Sequence, residues 1–235
     1  MHPLIRSICP MADLRLVIWD VDGTLVDSQD MIFAAFTYAY QSEGLPVPPR
    51  DRALGFVGKS LEVIFPELSP ELDSATHSLL IDGYRNAYKH IRDQRGSSAT
   101  SPFFPGARAA LDTLRAQDHT IMAVATGKSV RGVAALIKGY GLEGYFQSQQ
   151  TADHHPSKPH PSMIAACLSE TGVDASRAVM VGDTTFDIDM GRAAGVKTIG
   201  VDWGYHPTDT LNADCIVADF DALLPAIDDL IGPVT

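Results

Sequence analysis

What the chain has little of narrows the field first. It carries three cysteines, Cys9, Cys167 and Cys215, far apart and without a C-x-x-C pair. Disulfide frameworks and thiolate metal clips need paired spacing, so three reduced, mostly buried thiols are expected. No apolar run reaches the ~18–20 residues of a membrane span, which weighs against a membrane partner. The opening MHPLIRSICPMADLR has only a token basic region and no sustained apolar stretch, so no secretory signal is read there and a cytoplasmic protein is expected. Met11 is an alternative start that would leave residues 1–10 as a loose leader. Positive charge is scarce too: 18 Lys and Arg against 29 Asp and Glu give a net charge of -11. Nucleic-acid backbones are held mainly by clustered Lys and Arg, so no nucleic-acid partner is expected. A small anionic substrate stays open, because one local site can be positive on an acidic protein. Internal repeats and low-complexity tracts are also missing.

What is present is apolar bulk, 45% of 235 residues, enough for one large domain or a core with a smaller insert. Arg15–Trp19 is a short apolar run ending in acid and glycine, the form of a buried strand opening into a turn. The form recurs at Thr120–Ala125, Ala178–Val181, Lys197–Val201 and Asp214–Val217. Helical periodicity fills Ala107–Ala116, Val130–Gly139, Ser162–Thr171, Thr184–Ala194 and Phe220–Ile231. Strands alternating with helices of about ten residues predict an α/β fold, a Rossmann-like parallel sheet with helices on both faces. Ligands on such sheets lie off the carboxyl ends of the strands. The stretch from Ser28 to Phe104 breaks the alternation, with helix candidates at Met31–Glu43, Ser60–Phe65 and Pro70–Ile91. It closes on the Ser-, Gly- and Pro-rich segment Arg95–Gly106, which reads as a hinge or linker. The expected organisation is an inserted all-α cap domain over residues 28–104, with residues 1–27 and 105–235 forming the α/β core.

Chemistry-bearing residues fall at the strand ends. Asp20 and Asp22 are two apart, so on extended chain their carboxylates point to one side, and Gly23 lets the chain turn away. Two carboxylates this close repel, and a divalent cation would relieve the repulsion while leaving an oxygen free to attack. Ordinary Asp and Gly turn chemistry explains the same letters. The second strand runs into Thr126-Gly127-Lys128, where a hydroxyl and backbone N–H groups at a helix start make an anion site, or simply a helix cap. Lys158 stands between Pro156 and Pro159 in a stiff loop, as a counter-charge for phosphate or as a solvated lysine. Asp183 and Asp187 have the i, i+4 spacing that puts both carboxylates on one face at a helix start. Mg²⁺ takes such oxygen ligands together with water and phosphate, and a capping role is the alternative. Asp189 should point elsewhere. Each plain reading stands alone, but four coincidences at neighbouring strand ends do not.

The string DVDGTLVDS (Asp20–Ser28), Thr126, Lys158 and GDTTFD (Gly182–Asp187) resemble, in order, the four motifs of the haloacid dehalogenase superfamily. The likeness falls on the branch similar to phosphoglycolate phosphatases and runs from Leu14 to Ile231. Its first and fourth motifs are specific; a lone Thr or Lys is not. The resemblance implies that Asp20 attacks phosphorus and forms an aspartyl-phosphate. Asp22 would be general acid for the leaving alkoxide, then base for the hydrolytic water. Mg²⁺ would be held by Asp20, the main-chain carbonyl of Asp22 and Asp183, with Asp187 supporting through water. Thr126, Gly127 and Lys158 would bind the phosphoryl group. The partner implied is a small phosphorylated metabolite, and the chain a monomer or homodimer.

Asp22 separates the related chemistries. Hydrolytic dehalogenation needs neither metal nor that acid. Phosphonoacetaldehyde hydrolases are similar overall, but they use a cap lysine as Schiff base and carry a small residue where Asp22 stands. Lys59 lies one residue too far from Gly55 for that pattern. Sugar-phosphate mutases keep both aspartates and are the runner-up. In this superfamily the insertion is a mobile lid, so the Gly55–Ser60 loop is expected to bring Lys59, and with it Arg52, towards a substrate anion; an exposed lid lysine is the plain alternative. FVGKS and ATGKS lack the first glycine of a nucleotide-binding P-loop. His154, His155 and His160 lack cysteine partners for zinc. The aromatic stretch Met31–Tyr40 reads as cap core.

Overall fold

Leu16 and Ile18 pack on one side of a sheet while Val17 and Trp19 pack on the other, as strand alternation requires. They belong to β1 (Arg15–Trp19), an inner strand of a sheet seen in a computed structural model that describes residues 14–233. Cys9 and the alternative start at Met11 lie outside the described residues. After β1 come helices α1 (Gln29–Ser42), α2 (Arg50–Leu54), α3 (Leu61–Leu68), α4 (Ser74–Arg95) and α5 (Ser97–Thr100). The alternating part follows: α6 (Ala107–Arg115), β2 (Thr120–Thr126), α7 (Val130–Tyr140), β3 (Ser148–Thr151), α8 (Ser162–Thr171) and β4 (Ala178–Gly182). It ends with α9 (Thr185–Ala193), β5 (Lys197–Val201), β6 (Cys215–Val217) and α10 (Phe220–Ile231). The strand order is β3-β2-β1-β4-β5-β6 and every pair is parallel. Parallel neighbours need crossover connections, which the helices supply.

Helices cover both faces. Leu111, Leu114, Leu136, Leu223 and Ile227 close over one face, and Met163, Ile164, Cys167 and Met190 over the other. The helices after β1 form a separate core of their own around Phe36, Tyr40, Phe65 and Leu80. Phe36 lies 5.4 Å from Phe65 and 4.9 Å from Tyr84, ring centre to ring centre. The α/β fold with an all-α cap is therefore as expected.

Some elements differ from the sequence reading. β3, SQQT, has no apolar run, and it survives as a strand because it lies at the sheet edge, where polar side chains are tolerated. α4 begins at Ser74 rather than Pro70, because the Asp73 carboxylate accepts the Thr76 N–H at 2.8 Å and caps the helix there. The expected linker Arg95–Gly106 is partly helical, holding α5, whose Ser97 hydroxyl donates to Ala135 O at 3.2 Å on α7.

Candidate active site

Strand register sets three of the candidate residues side by side. Trp19 pairs with Val124 on β2 and with Val181 on β4, so Asp20, Thr126 and Asp183 emerge from neighbouring strands at the carboxyl edge. The Asp20 N–H donates to Val181 O at 2.9 Å, which fixes where its carboxylate starts. Asp20, Asp183 and Asp187 are buried, and each offers an oxygen within 4.8 Å of the others. Lys158, also buried, donates from Nζ to Asp20 Oδ1 and to Asp187 Oδ1, both at 2.6 Å. Three carboxylates against one ammonium leave negative charge in excess.

That excess shows in proton affinity. Burial lifts the Asp20 carboxyl to about 7, against the downward pull of Lys158, and Asp187 and Asp22 add to the rise. Burial, then Asp187 and Asp20, holds Asp183 well above the carboxylate range. Burial opposes the charge on Lys158, yet Asp187 and Asp20 outweigh it and raise that pKa. Asp20 Oδ2 is buried without a hydrogen-bond partner among the described residues. An orphaned carboxylate oxygen beside two further carboxylates is the donor set a hard divalent cation takes, so these residues fit such an ion.

The remaining oxygens of the cluster are held by neighbours. Thr24 Oγ1 donates to Asp183 Oδ1 at 2.9 Å, and the Tyr205 N–H donates to Asp183 Oδ2 at 2.8 Å. Thr184 donates to Asp187 Oδ2 from its N–H at 3.1 Å and from its hydroxyl at 2.6 Å. Gly23 has a φ of 92°, and a Cβ there would lie 2.2 Å from Asp183 Oδ2. Only glycine suits that place.

Asp22 keeps different company. β1 ends at Trp19, so Asp22 already sits in the turn, bridged to Val26, rather than on extended strand. Its carboxylate accepts from Lys128 Nζ at 2.6 and 2.7 Å and from Ser28 Oγ at 2.5 Å, apart from the three-carboxylate cluster. Lys128 Nζ also reaches Tyr88 Oη on α4 at 2.9 Å. Burial opposes the Lys128 charge, but Asp22 and Tyr88 outweigh it and raise its pKa.

A cavity of about 570 Å³ lies between core and cap, and Asp20, Asp22, Thr126, Gly127 and Lys128 line it. Thr126 is buried, its Oγ1 accepting the Lys128 N–H at 3.2 Å. A Cβ on Gly127 would sit 2.5 Å from Gly58 O of the cap loop, so the close approach of cap and core there depends on glycine. Lys59 lines the cavity as well, with its ammonium on Glu67 Oε2 at 2.5 Å and 4.7 Å from the centre of the Phe186 ring. Arg52 is exposed and is not among the lining residues, Asp189 is exposed, and His155 is occupied by Gln150 and Ser162 at 2.8 Å each.

Lys128, Ser28, Thr24 and Tyr205 belong to the site although the sequence reading gave them no role. Lys128 adjoins Thr126-Gly127, and Ser28 ends the DVDGTLVDS string, so both lay within motifs already marked. Tyr205 follows the end of β5, where the rule of strand carboxyl ends would also have pointed.

Comparison with known proteins agrees with this geometry. Residues 17–201 match the model of the haloacid dehalogenase-like hydrolase family. The probable phosphatase IndB of Dickeya dadantii is 38% identical over 201 residues, covering 84% of this chain and 85% of that protein. A phosphoglycolate phosphatase of Yersinia pestis is 30% identical over 218 residues, covering 91% and 93%. A haloacid dehalogenase-like hydrolase from Streptococcus pneumoniae superposes with a TM-score of 0.78 at 25% identity, over 91% of this chain and 98% of that one. The chain belongs to the haloacid dehalogenase-like hydrolase family and is an enzyme of its phosphatase-like branch.

Proposed function

We propose that the protein is a Mg²⁺-dependent phosphatase that hydrolyses a small phosphate monoester through an aspartyl-phosphate on Asp20. The observation that carries this reading is Asp20 itself: a buried carboxylate with one oxygen on Lys158 and the other orphaned. In the first step Asp20 attacks phosphorus, the bond to the leaving oxygen breaks, and Asp22 gives that oxygen a proton. In the second, Asp22 takes a proton from water, which attacks the aspartyl-phosphate and releases phosphate. Thr126 and the Gly127 N–H hold phosphoryl oxygens, and Lys158 offsets their charge. Asp20, the main-chain carbonyl of Asp22, and Asp183 would hold the cation, with Asp187 in support. When bound, the cation lowers the repulsion between the carboxylate nucleophile and the anionic ester.

Such esters are so inert that acceleration can approach ~10²¹-fold, and splitting one hard step into two around a charged, water-poor floor is a credible route. Residues 28–104 would act as the cap over a core of residues 1–27 and 105–235, with Lys59 reaching a substrate anion only by leaving Glu67. The test is phosphate release from a panel of monoesters with Mg²⁺. Asp20→Asn should lose at least about 10⁴-fold, on the scale of removing a covalent nucleophile. Turnover of a sugar phosphate with little free phosphate would instead assign a mutase.

A further inference from the structure

The floor of the cavity concerns the phosphoryl group; its walls bear on the alcohol that leaves. A volume of about 570 Å³ holds roughly 19 waters at about 30 Å³ each. Cavities of ~300–1,000 Å³ suit ligands of drug size. A phosphoryl group joined to a two-carbon acid would leave most of this one wet.

The wall chemistry is uneven. Tyr84 and Tyr88, one turn apart on α4, stack at 5.9 Å with 29° between their planes, and Phe36 packs on Tyr84 at 4.9 Å. Ile32, Val57 and Ile64 add aliphatic surface beside them. Phe65 also meets the Tyr84 ring at 6.3 Å and Lys128 Nζ lies 5.2 Å from the centre of the Tyr88 ring, so a flat ring would meet these aromatics by edge contact or in an offset stack. The Tyr84 hydroxyl has no hydrogen-bond partner among the described residues. Burial, then Tyr88 and Asp22, holds its pKa well above the phenol range, which keeps it a neutral donor. The nearby cations are engaged: Lys128 on Asp22, Lys59 on Glu67, Arg85 on Glu62 and Lys89 on Asp93. Arg131, exposed in the first turn of α7, also lines the cavity and has no carboxylate partner among the described residues, and Arg92 beside it has only Asp93, at 3.7 Å. Most of the cations lining the wall are thus already committed to carboxylates.

Resting on the phosphatase reading, we propose that the released alcohol carries a flat, uncharged ring seated against Tyr84 and Tyr88. The Tyr84 hydroxyl hydrogen-bonds a polar atom of that ring or of its linker. Phosphate esters of arylalkyl alcohols and nucleoside monophosphates share this chemistry; 2-phosphoglycolate does not.

Phosphate release is to be compared for benzyl phosphate, uridine 5′-monophosphate and 2-phosphoglycolate. At least one ring-bearing ester should exceed 2-phosphoglycolate tenfold in kcat/KM, and which one does so identifies the source of the ring. Equal or faster turnover of 2-phosphoglycolate overturns the proposal. Tyr84→Leu keeps the bulk and removes the flat face. It should raise KM for the preferred ring ester at least fivefold more than KM for 2-phosphoglycolate; an equal change in both, or an unchanged KM for the ring ester, removes Tyr84 from ring binding. If no ester releases phosphate, the phosphatase reading fails separately. Calorimetry on the unmutated protein then decides the ring proposal: tenfold tighter binding of a ring ester supports it, and equal binding overturns it.

Discussion

The floor and the roof of the cavity hold their charges in opposite ways. On the floor, Asp20 is backed by Lys158, which does not itself line the cavity and is fully buried between Asp20 and Asp187, buried as well. On the roof, Lys59, Arg85 and Lys89 pair with Glu67, Glu62 and Asp93, carboxylates that are each about half exposed. A buried ion cannot turn to water, so its position is fixed by its partners; an exposed pair can part at little cost. The floor is thus built to hold one geometry, as phosphoryl transfer demands, while the roof can rearrange around different alcohols. Removing a cation from each region tests whether that difference is real.

The largest effect is expected from Lys158→Met. It strands two buried carboxylates, and breaking a buried pair costs about 3–5 kcal/mol, to be read from urea denaturation in chelator. If Lys158 offsets phosphoryl charge as proposed, its loss should also lower kcat by ~10²–10³. A loss under about 1 kcal/mol would place Lys158 with the roof cations and break the comparison.

The second test adds charge back to the floor. Mg²⁺ at about 100 times its dissociation constant should stabilise the fold by about 2.7 kcal/mol, roughly 5–10 °C in Tm for a chain of this size. Asp183→Asn should remove most of that shift. The pH dependence has a definite sign. Burial raises Asp20 from 3.8 to about 7, so its ionisation disfavours the folded state. The stability of the metal-free protein should fall as pH rises through that window. The shift with Mg²⁺ should grow over the same range, and a shift larger at pH 5 than at pH 8 would contradict the assignment.

How much of this was legible beforehand differs between the two regions for a physical reason. Asp20, Asp183 and Asp187 were readable because apolar strands, tight turns and helix starts encode position locally, and a parallel sheet gathers its strand ends. β3 was not, since an edge strand needs no apolar run and SQQT has none. The Lys128 link to Asp22 and Tyr88 spans elements far apart in the chain, and no local period announces it. Tyr205 likewise reaches Asp183 by its N–H and Ser28 by its ring hydroxyl, a meeting only the folded chain creates. The roof showed its helices and its aromatic core, but its pairings across helices, such as Arg85 with Glu62, depend on packing that periodicity does not carry.

The smallest effect is expected at Lys59, and it bears most directly on the roof. Its ammonium lies on Glu67, whose side chain is 43% exposed, so breaking the pair returns a carboxylate to water rather than stranding it. Exposed pairs are worth about 0.2–1 kcal/mol, so Lys59→Ala should leave stability within that range. If Lys59 swings from Glu67 to a substrate anion, the exchange of one partner for another nets little. KM should then rise by no more than about fivefold, which is roughly 1 kcal/mol, with kcat unchanged. Steady-state kinetics across the ester panel decide it. A KM unchanged for every ester removes Lys59 from substrate binding and leaves it a structural partner of Glu67. A kcat loss as large as that of Lys158→Met would mean the roof is as rigidly charged as the floor.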